Sequence, residues 1–392
     1  MISKKYFYKV YRLGIKTLSN YFIQITKNFN YLLIIQIIPL LIISSMLIKE
    51  MDPDLYKKQM TYYFISFIVF IVAAYIPWKY ILWLFAPFMY IMNILLLIAV
   101  EVAGKTIGGA KRWLVLPGGF TIQPSEFMKL SILLFLAFLI SKYPPDKDKG
   151  YGFLQFSLYS LIILLPSYLI LREPDLGTTL LLVIASFGVL YLVGINWKIV
   201  AIIVTALAVV APLGYKYALK PYQKKRIENF LGEPSYQVQQ ALIAIGSGGI
   251  EGKPKEEATQ TQLKFLPVAT TDFIFAYLGE RYGFKGMVIV VGLYILLIIH
   301  LLIISKIYSD DYHIVVIATG LAFLFFVYMG VNIYMVIGLA PVVGAPLPMF
   351  SHGGTSFIIF AFLLGILENL ISFKGYKHYN SDTKLEMIEK EH

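Results

Sequence analysis

Long apolar runs dominate this chain, separated by short polar connections. Runs able to cross about 30 Å of hydrocarbon as helices occupy 31–49, 60–77, 81–103, 126–142, 154–171, 176–195, 197–213, 286–307, 312–338 and 354–373. Ten spans place both termini on the same side. The polar intervals are short except for 214–285, where PYQKKRIENFLGEPSYQVQQALIAIGSGGIEGKP joins an amphipathic stretch, a glycine-rich turn and a charged tip. The pattern predicts an all-α polytopic membrane protein: about ten transmembrane helices, with a long, partly helical extracellular loop between spans 7 and 8. It divides the chain into an amphipathic segment at 1–30, a ten-helix domain at 31–373 and a tail at 374–392.

Composition agrees. Of 392 residues 58% are hydrophobic, above the roughly 45–50% of soluble domains. Cysteine is absent, which excludes disulfides, thiolate nucleophiles and Cys-based zinc sites. His300, His313, His352, His378 and His392 are scattered, without the i,i+4 pairing of a helical metal site. The net charge of +11 points to cytoplasmic loops and membrane lipid headgroups, not to nucleic acid. Outside the long loop, sixteen Lys and Arg fall on the side of the termini and seven opposite. Both termini are therefore expected in the cytoplasm. The first thirty residues lack an A-x-A-like cleavage site and read as an interfacial segment, not a signal peptide.

Lys111, Arg112 and the basic long loop face outward against that trend. They read either as headgroup contacts or as a site for an anionic group at the outer leaflet. In QPSEFMK, Gln123 or Ser125 can cap a helix, and Glu126 and Lys129 share a face at i,i+3. That pair is either a mutually neutralising ion pair or a functional one, since charges within a membrane are expensive. Asp175 in REPDLGTT resembles a helix cap. Gly246, Gly248 and Gly249 suit a helix end and a tight reversal; without a Lys-Ser/Thr ending they do not make a phosphate loop.

The stretch at 338–357 is rich in Pro and Gly between two spans, so it must line an enclosed or watery cavity. Ser351 and His352 are among its polar groups. In FLPVATTDFIFAYLGERYGF, residues 265–284, Asp272 is followed by Ala276, Gly279 and Gly283 on one small-residue stripe. The carboxylate reads either as an N-terminal helix cap or as a reactive group beside space for a ligand.

Taken in order, KRWL at 111–114, QPSEFMK at 123–129, EPDLGTT at 173–179, AIGSGG at 244–249, TQTQLKFLP at 259–267, TDFIFA at 271–276 and GLAPVVGAPLPMFSHGGTS at 338–356 resemble the SEDS family, the RodA/FtsW group of peptidoglycan polymerases. The resemblance is closer to RodA. Two positions depart from the family's FLPExHTDF pattern: Val268 and Thr270 stand in place of Glu and His. The resemblance implies an inverting peptidoglycan glycosyltransferase of the bacterial cytoplasmic membrane. It would link lipid II into glycan strands at the outer face, for elongation and rod shape. It implies Asp272 as general base, and Lys111, Arg112, Glu126, Lys129, Ser351 and His352 at the substrate. No metal site and no tightly bound cofactor are implied, though a divalent cation (Mg or Mn) can assist. The expected partner is a class B penicillin-binding protein, its helix lying against the runs at 286–307 and 312–338 near Gly320 or Gly330. A precursor flippase, a non-catalytic scaffold and a division-type member remain as alternatives.

Overall fold

The computed structural model describes residues 21–107, 110–115, 121–146, 149–173, 175–194, 234–262 and 268–390, with isolated positions between them. Three helices come first: α1 (Tyr31–Met51), α2 (Pro53–Tyr75) and α3 (Trp78–Ala103). Three short strands follow, β1 (Lys105–Ile107), β2 (Ala110–Val115) and β3 (Thr121–Ile122). Then come α4 (Pro124–Lys142), α5 (Phe153–Arg172), α6 (Leu176–Gly194), α7 (Tyr236–Gly248), α8 (Thr259–Gln262), α9 (Ile274–Ile307), α10 (Tyr312–Val336) and α11 (Gly354–Lys390). Nine helices among the described residues are long and apolar enough to cross a membrane. The span expected at 197–213 lies outside the described residues, as do residues 1–20 of the expected N-terminal segment.

Local chemistry sets the helix ends. Asp52 caps α2, its carboxylate accepting from the Asp54 and Leu55 amides at 2.9 and 3.1 Å, with Pro53 in the first turn. Asp311 likewise caps α10 through the His313 amide. Its carboxyl is held well below the usual range: bonds from His313 and the Lys79 ammonium outweigh the upward push of burial, the largest influence on it. At α4, Pro124 and Glu126 mark the start as expected, but neither Gln123 nor Ser125 caps it; the Gln123 amide donates instead to the Ser125 hydroxyl and to Asp175.

α4, α10 and α11 form the interior of the bundle, while α1, α2, α3, α5 and α9 turn broad apolar faces outward. Of the two runs expected to receive a partner helix, that of α9 keeps an exposed face and that of α10 is mostly enclosed. α10 is an interior helix, and a Cβ on its Gly320 would collide with Leu133 of α4. Gly320 thus serves packing within the chain, whereas Gly330 has open space beside it.

The sheet was not expected of an all-helical chain. β1 and β2 pair antiparallel with Ile107 opposite Ala110, and β2 pairs with β3 through Leu114–Ile122 and Val115–Thr121. The sheet lies at the end of the bundle where α3 stops and α4 begins.

α9 begins twelve residues before the expected span at 286 and is interrupted: Gly283 has φ +62°, ψ −163°. Residues 274–282 thus make a separate helical rod about 13 Å long. The small-residue stripe around it has a physical explanation. A Cβ on Gly248 would collide with the Gly279 carbonyl, and Gly283 abuts Gly252 and Ile250 in the turn after α7. The stripe admits α7 and its turn, not a ligand. Gly249, at φ +56°, ends α7 as the glycine pattern suggested.

Candidate active site

Asp272 lies on a turn, two residues before the rod. The amides of Thr271 and Phe273 both reach back to the Val268 carbonyl, at 3.1 and 3.4 Å. Val268 itself has φ 55°, a conformation that a β-branched side chain occupies at a cost of order 1–3 kcal/mol. The rod's N-cap is Phe273, with no side-chain cap. Among the described residues no donor reaches the Asp272 carboxylate, so it does not cap the helix.

A strap of non-helical backbone, residues 338–353, folds inward over this turn. Its tip is deep. The Ser44 hydroxyl donates to the Phe350 carbonyl, and Gly354 packs on the ring of Tyr62. Ser44 stands seven residues inside the end of α1 and Tyr62 nine residues inside α2, about 10 and 14 Å along those axes. Backbone at such depth must be satisfied by protein, and several of its groups are bonded across the fold. The Tyr294 hydroxyl donates to the Pro348 carbonyl at 2.7 Å. The Ser351 hydroxyl accepts from the Leu347 amide at 2.9 Å and donates to the Thr271 carbonyl at 2.6 Å. The His352 amide donates to the Thr270 carbonyl at 2.8 Å. Pro341, Pro346 and Pro348 remove three further donors.

From α10, the Asn332 side-chain amide donates to the carbonyls of both Asp272 and Ala345, each at 2.7 Å. It clips turn and strap together. Sequence reasoning missed this residue; the signal was a lone amide within a long apolar run. Gly344, at φ +72°, brings the strap beside the carboxylate: a Cβ there would stand 3.6 Å from Asp272 Oδ2. Burial pushes the Asp272 carboxyl up to about 6, and the Arg112 guanidinium acts in the opposite sense.

Arg112 comes from β2, so the unexpected sheet positions it. Its Nη1 lies 3.0 Å from Asp175 Oδ2, while its Nε is buried without a partner among the described residues. Asp175 is also the helix cap the sequence suggested, since its other oxygen caps α6 through the Thr178 amide at 3.1 Å. Gly177 lets α6 press against the Val343 carbonyl, so consecutive strap residues, 343 and 344, touch the Asp175 helix and Asp272. Nearby, Glu173 is buried with both oxygens unpartnered among the described residues. Burial above all, then the charge of Asp175, pushes its carboxyl up to about 8. Burial thus favours the neutral form of Glu173, and Arg112 lies beside Asp175 and acts on Asp272.

The other candidates lie elsewhere or are engaged. The Lys111 ammonium donates to the Glu101 and Val102 carbonyls at 2.7 and 3.2 Å, capping the end of α3. Lys129 is buried in the bundle, 2.7 Å from Glu126 and 4.6 Å from the Tyr328 ring centre, one turn along α10 from Asn332. Ser351 is spent on the strap. His352 presents a half-buried ring beside Tyr62, with Nδ1 unpartnered and its basicity lowered by burial. Among the described residues no three His, Asp or Glu side chains gather as a metal cage.

The site therefore offers a carboxylate without hydrogen bonds among the described residues, a nearby guanidinium and a recess below the bundle rim. Residues 20–376 match the family model FTSW_RODA_SPOVE, described as cell cycle protein. Peptidoglycan glycosyltransferase MrdB of Helicobacter pylori is 47% identical over 361 residues, covering 91% of this chain and 94% of that one. A solved structure described as a peptidoglycan synthase complex coordinating polymerization and crosslinking contains a chain with TM-score 0.75 and 26% identity, over 88% of this chain and 97% of that one. The Thermus thermophilus rod shape determining protein RodA matches with TM-score 0.64 and 25% identity, over 88% and 96%. This chain belongs to the FtsW/RodA/SpoVE family.

Proposed function

We infer that this multi-pass membrane protein is a peptidoglycan glycosyltransferase of the elongation type, polymerising lipid II with Asp272 as general base. The observation that carries the reading is the Asp272 carboxylate, recessed, free of hydrogen bonds among the described residues and within electrostatic reach of Arg112. In the proposed step Asp272 takes the proton of an acceptor sugar hydroxyl. That oxygen attacks the anomeric carbon of a donor unit with inversion, and the lipid diphosphate departs with the electron pair of the broken bond. A diphosphate needs no proton to leave, so one carboxylate and one cation form a sufficient set. The Arg112 fork suits the leaving anion. No cofactor need be held; a divalent cation would enter with the diphosphate.

Incubating the purified protein with lipid II is the direct test. Glycan strands are the expected product. Movement of lipid II between leaflets without strands would favour a flippase, and neither outcome would favour a scaffold.

The reading also requires the Asp272 end of the bundle to face outward and the termini to be cytoplasmic. Supporting it, Lys79–Asp311 and Lys374–Asp310 ion pairs gather at the end opposite Asp272. A cysteine at Ser235, in this cysteine-free chain, should react with an impermeant thiol reagent in intact cells. Protection there, with labelling at position 148, would reverse the orientation. A crosslinking partner, a class B penicillin-binding protein, fits the coupling of polymerization to crosslinking in the similar synthase complex. Its helix would lie on an outward face such as that of α9 (Ile289, Leu296, Ile299 and Ile303 are exposed), not at Gly320.

A further inference from the structure

The rod at 274–282 is held at its two ends by different means. At the Asp272 end only backbone carbonyls are gripped, by Asn332, Ser351 and the His352 amide. The carboxylate has no partner of its own among the described residues, so its direction follows the height and rotation of the rod.

The far end is held by the segment after α7, where the Lys253 amide donates to the Glu280 carbonyl at 3.0 Å and the Gln260 amide to Glu280 Oε1 at 2.9 Å, and by one carboxylate of α1. Glu50, one residue before the end of α1, receives Arg281 as a fork: Nε to Oε2 at 2.6 Å and Nη2 to Oε1 at 3.0 Å. The Tyr277 hydroxyl donates to the same Oε2 at 2.9 Å. Tyr277 and Arg281 are i,i+4 neighbours on one face of the rod. The third Arg281 nitrogen donates to the Lys253 carbonyl, in the turn that Gly283 abuts. The guanidinium also lies over the Tyr282 ring at 5.4 Å. Immediately beyond Glu50, Asp52 caps α2. The Glu50–Arg281 pair therefore joins α1, the rod and the α7 turn just before the Gly283 break.

We propose that Glu50 and Arg281 are positioning residues for Asp272: their forked pair fixes the rod's rotation and height, and so aims the carboxylate. The proposal rests on the glycosyltransferase reading. A bidentate pair suits this work because it constrains orientation as well as distance. A misplacement of about 1 Å at reacting groups can cost on the order of 100-fold in rate.

The test uses the full-length protein with lipid II, comparing Glu50→Arg, Arg281→Glu and the exchanged double variant. Each single variant should lose roughly 10- to 100-fold in kcat with little change in KM, while the exchange recovers most of the loss. Tyr277→Phe is the gentler probe, removing one bond to Glu50 without a charge; it should lower kcat about threefold at an unchanged melting temperature. A readout that simple loss of fold would not move is the acid limb of the rate. A slackened rod admits water to the Asp272 carboxyl, so the limb should fall toward ordinary carboxylate values in the single variants and return in the exchange. Arg112 is the charged group bearing on Asp272 and is untouched in all of them. Single variants with wild-type kcat would overturn the proposal, as would losses that only track the amount of folded protein with an unmoved acid limb. A wild-type protein that makes no strands would instead overturn the glycosyltransferase reading itself.

Discussion

Replacing Asp272 by Asn is expected to cut strand synthesis by about 10²- to 10⁴-fold, the usual contribution of a general base, while leaving the fold intact. The substitution preserves volume, and because the carboxylate makes no hydrogen bond among the described residues, none is lost. Its backbone carbonyl keeps the bond from Asn332. In the unaltered protein the rate should show an acid limb near pH 6, because burial raises the Asp272 carboxyl to about 6. Below that pH the base is protonated and the rate falls; above it the base is ionised and the rate levels off. Asp272→Asn should lack this limb in whatever activity remains. Initial rates of lipid II polymerisation across pH 5 to about 8 are the measurement. An Asp272→Asn variant with the normal rate and the normal limb would remove Asp272 from the chemistry.

Arg112→Ala should produce the next largest loss, on the order of 100-fold, as for the removal of one preorganised electrostatic contact. It carries a second signature with a definite sign. Arg112 lowers the Asp272 carboxyl against the larger effect of burial, so its removal should move the acid limb above pH 6. At neutral pH the variant would then suffer twice, from a poorly stabilised leaving group and from a partly protonated base. Raising the pH should recover only the second part. Arg112→Lys should restore the limb but not the full rate, because an ammonium supplies charge without the fork. Asp175 keeps its cap to Thr178 in either variant, so α6 should stay in place. An acid limb that stays put in Arg112→Ala would mean that the guanidinium does not act on Asp272.

Most of the bundle was legible because length and hydropathy settle a membrane span almost alone. What escaped was set by contacts between distant segments. The β1–β2 pairing left only a faint trace, the two-residue Gly-Gly spacing between Ile107 and Ala110, amid a run of basic and aromatic residues. The stripe of Ala276, Gly279 and Gly283 was readable as a close approach, but nothing local told whether a ligand or α7 filled it. Lys111 and Arg112 are neighbours in sequence and both basic; strand alternation sends one to the end of α3 and the other toward Asp175 and Asp272. The motif order pointed to Asp272, whereas its lack of a capping role depended on two unremarkable residues, Val268 and Phe273, that set the turn. Asn332 was hidden because its value lies in joining two carbonyls that meet only in the folded chain.

The strap has a bearing on biosynthesis. Its anchors are Ser44, Tyr294 and Asn332, and it closes on the turn at 270–272 through Ser351 and His352, so contacts across some three hundred residues converge on one carboxylate. A chain emerging from the ribosome can insert its early spans one by one, and even the rod bearing Asp272, with the strap still unmade. The turn that carries Asp272 is fully clamped only once α11 has been made and residues 351 and 352 are in place. If Asp272 is the base, competence would come late in translation, and a chain halted before α11 would sit in the membrane without a finished site.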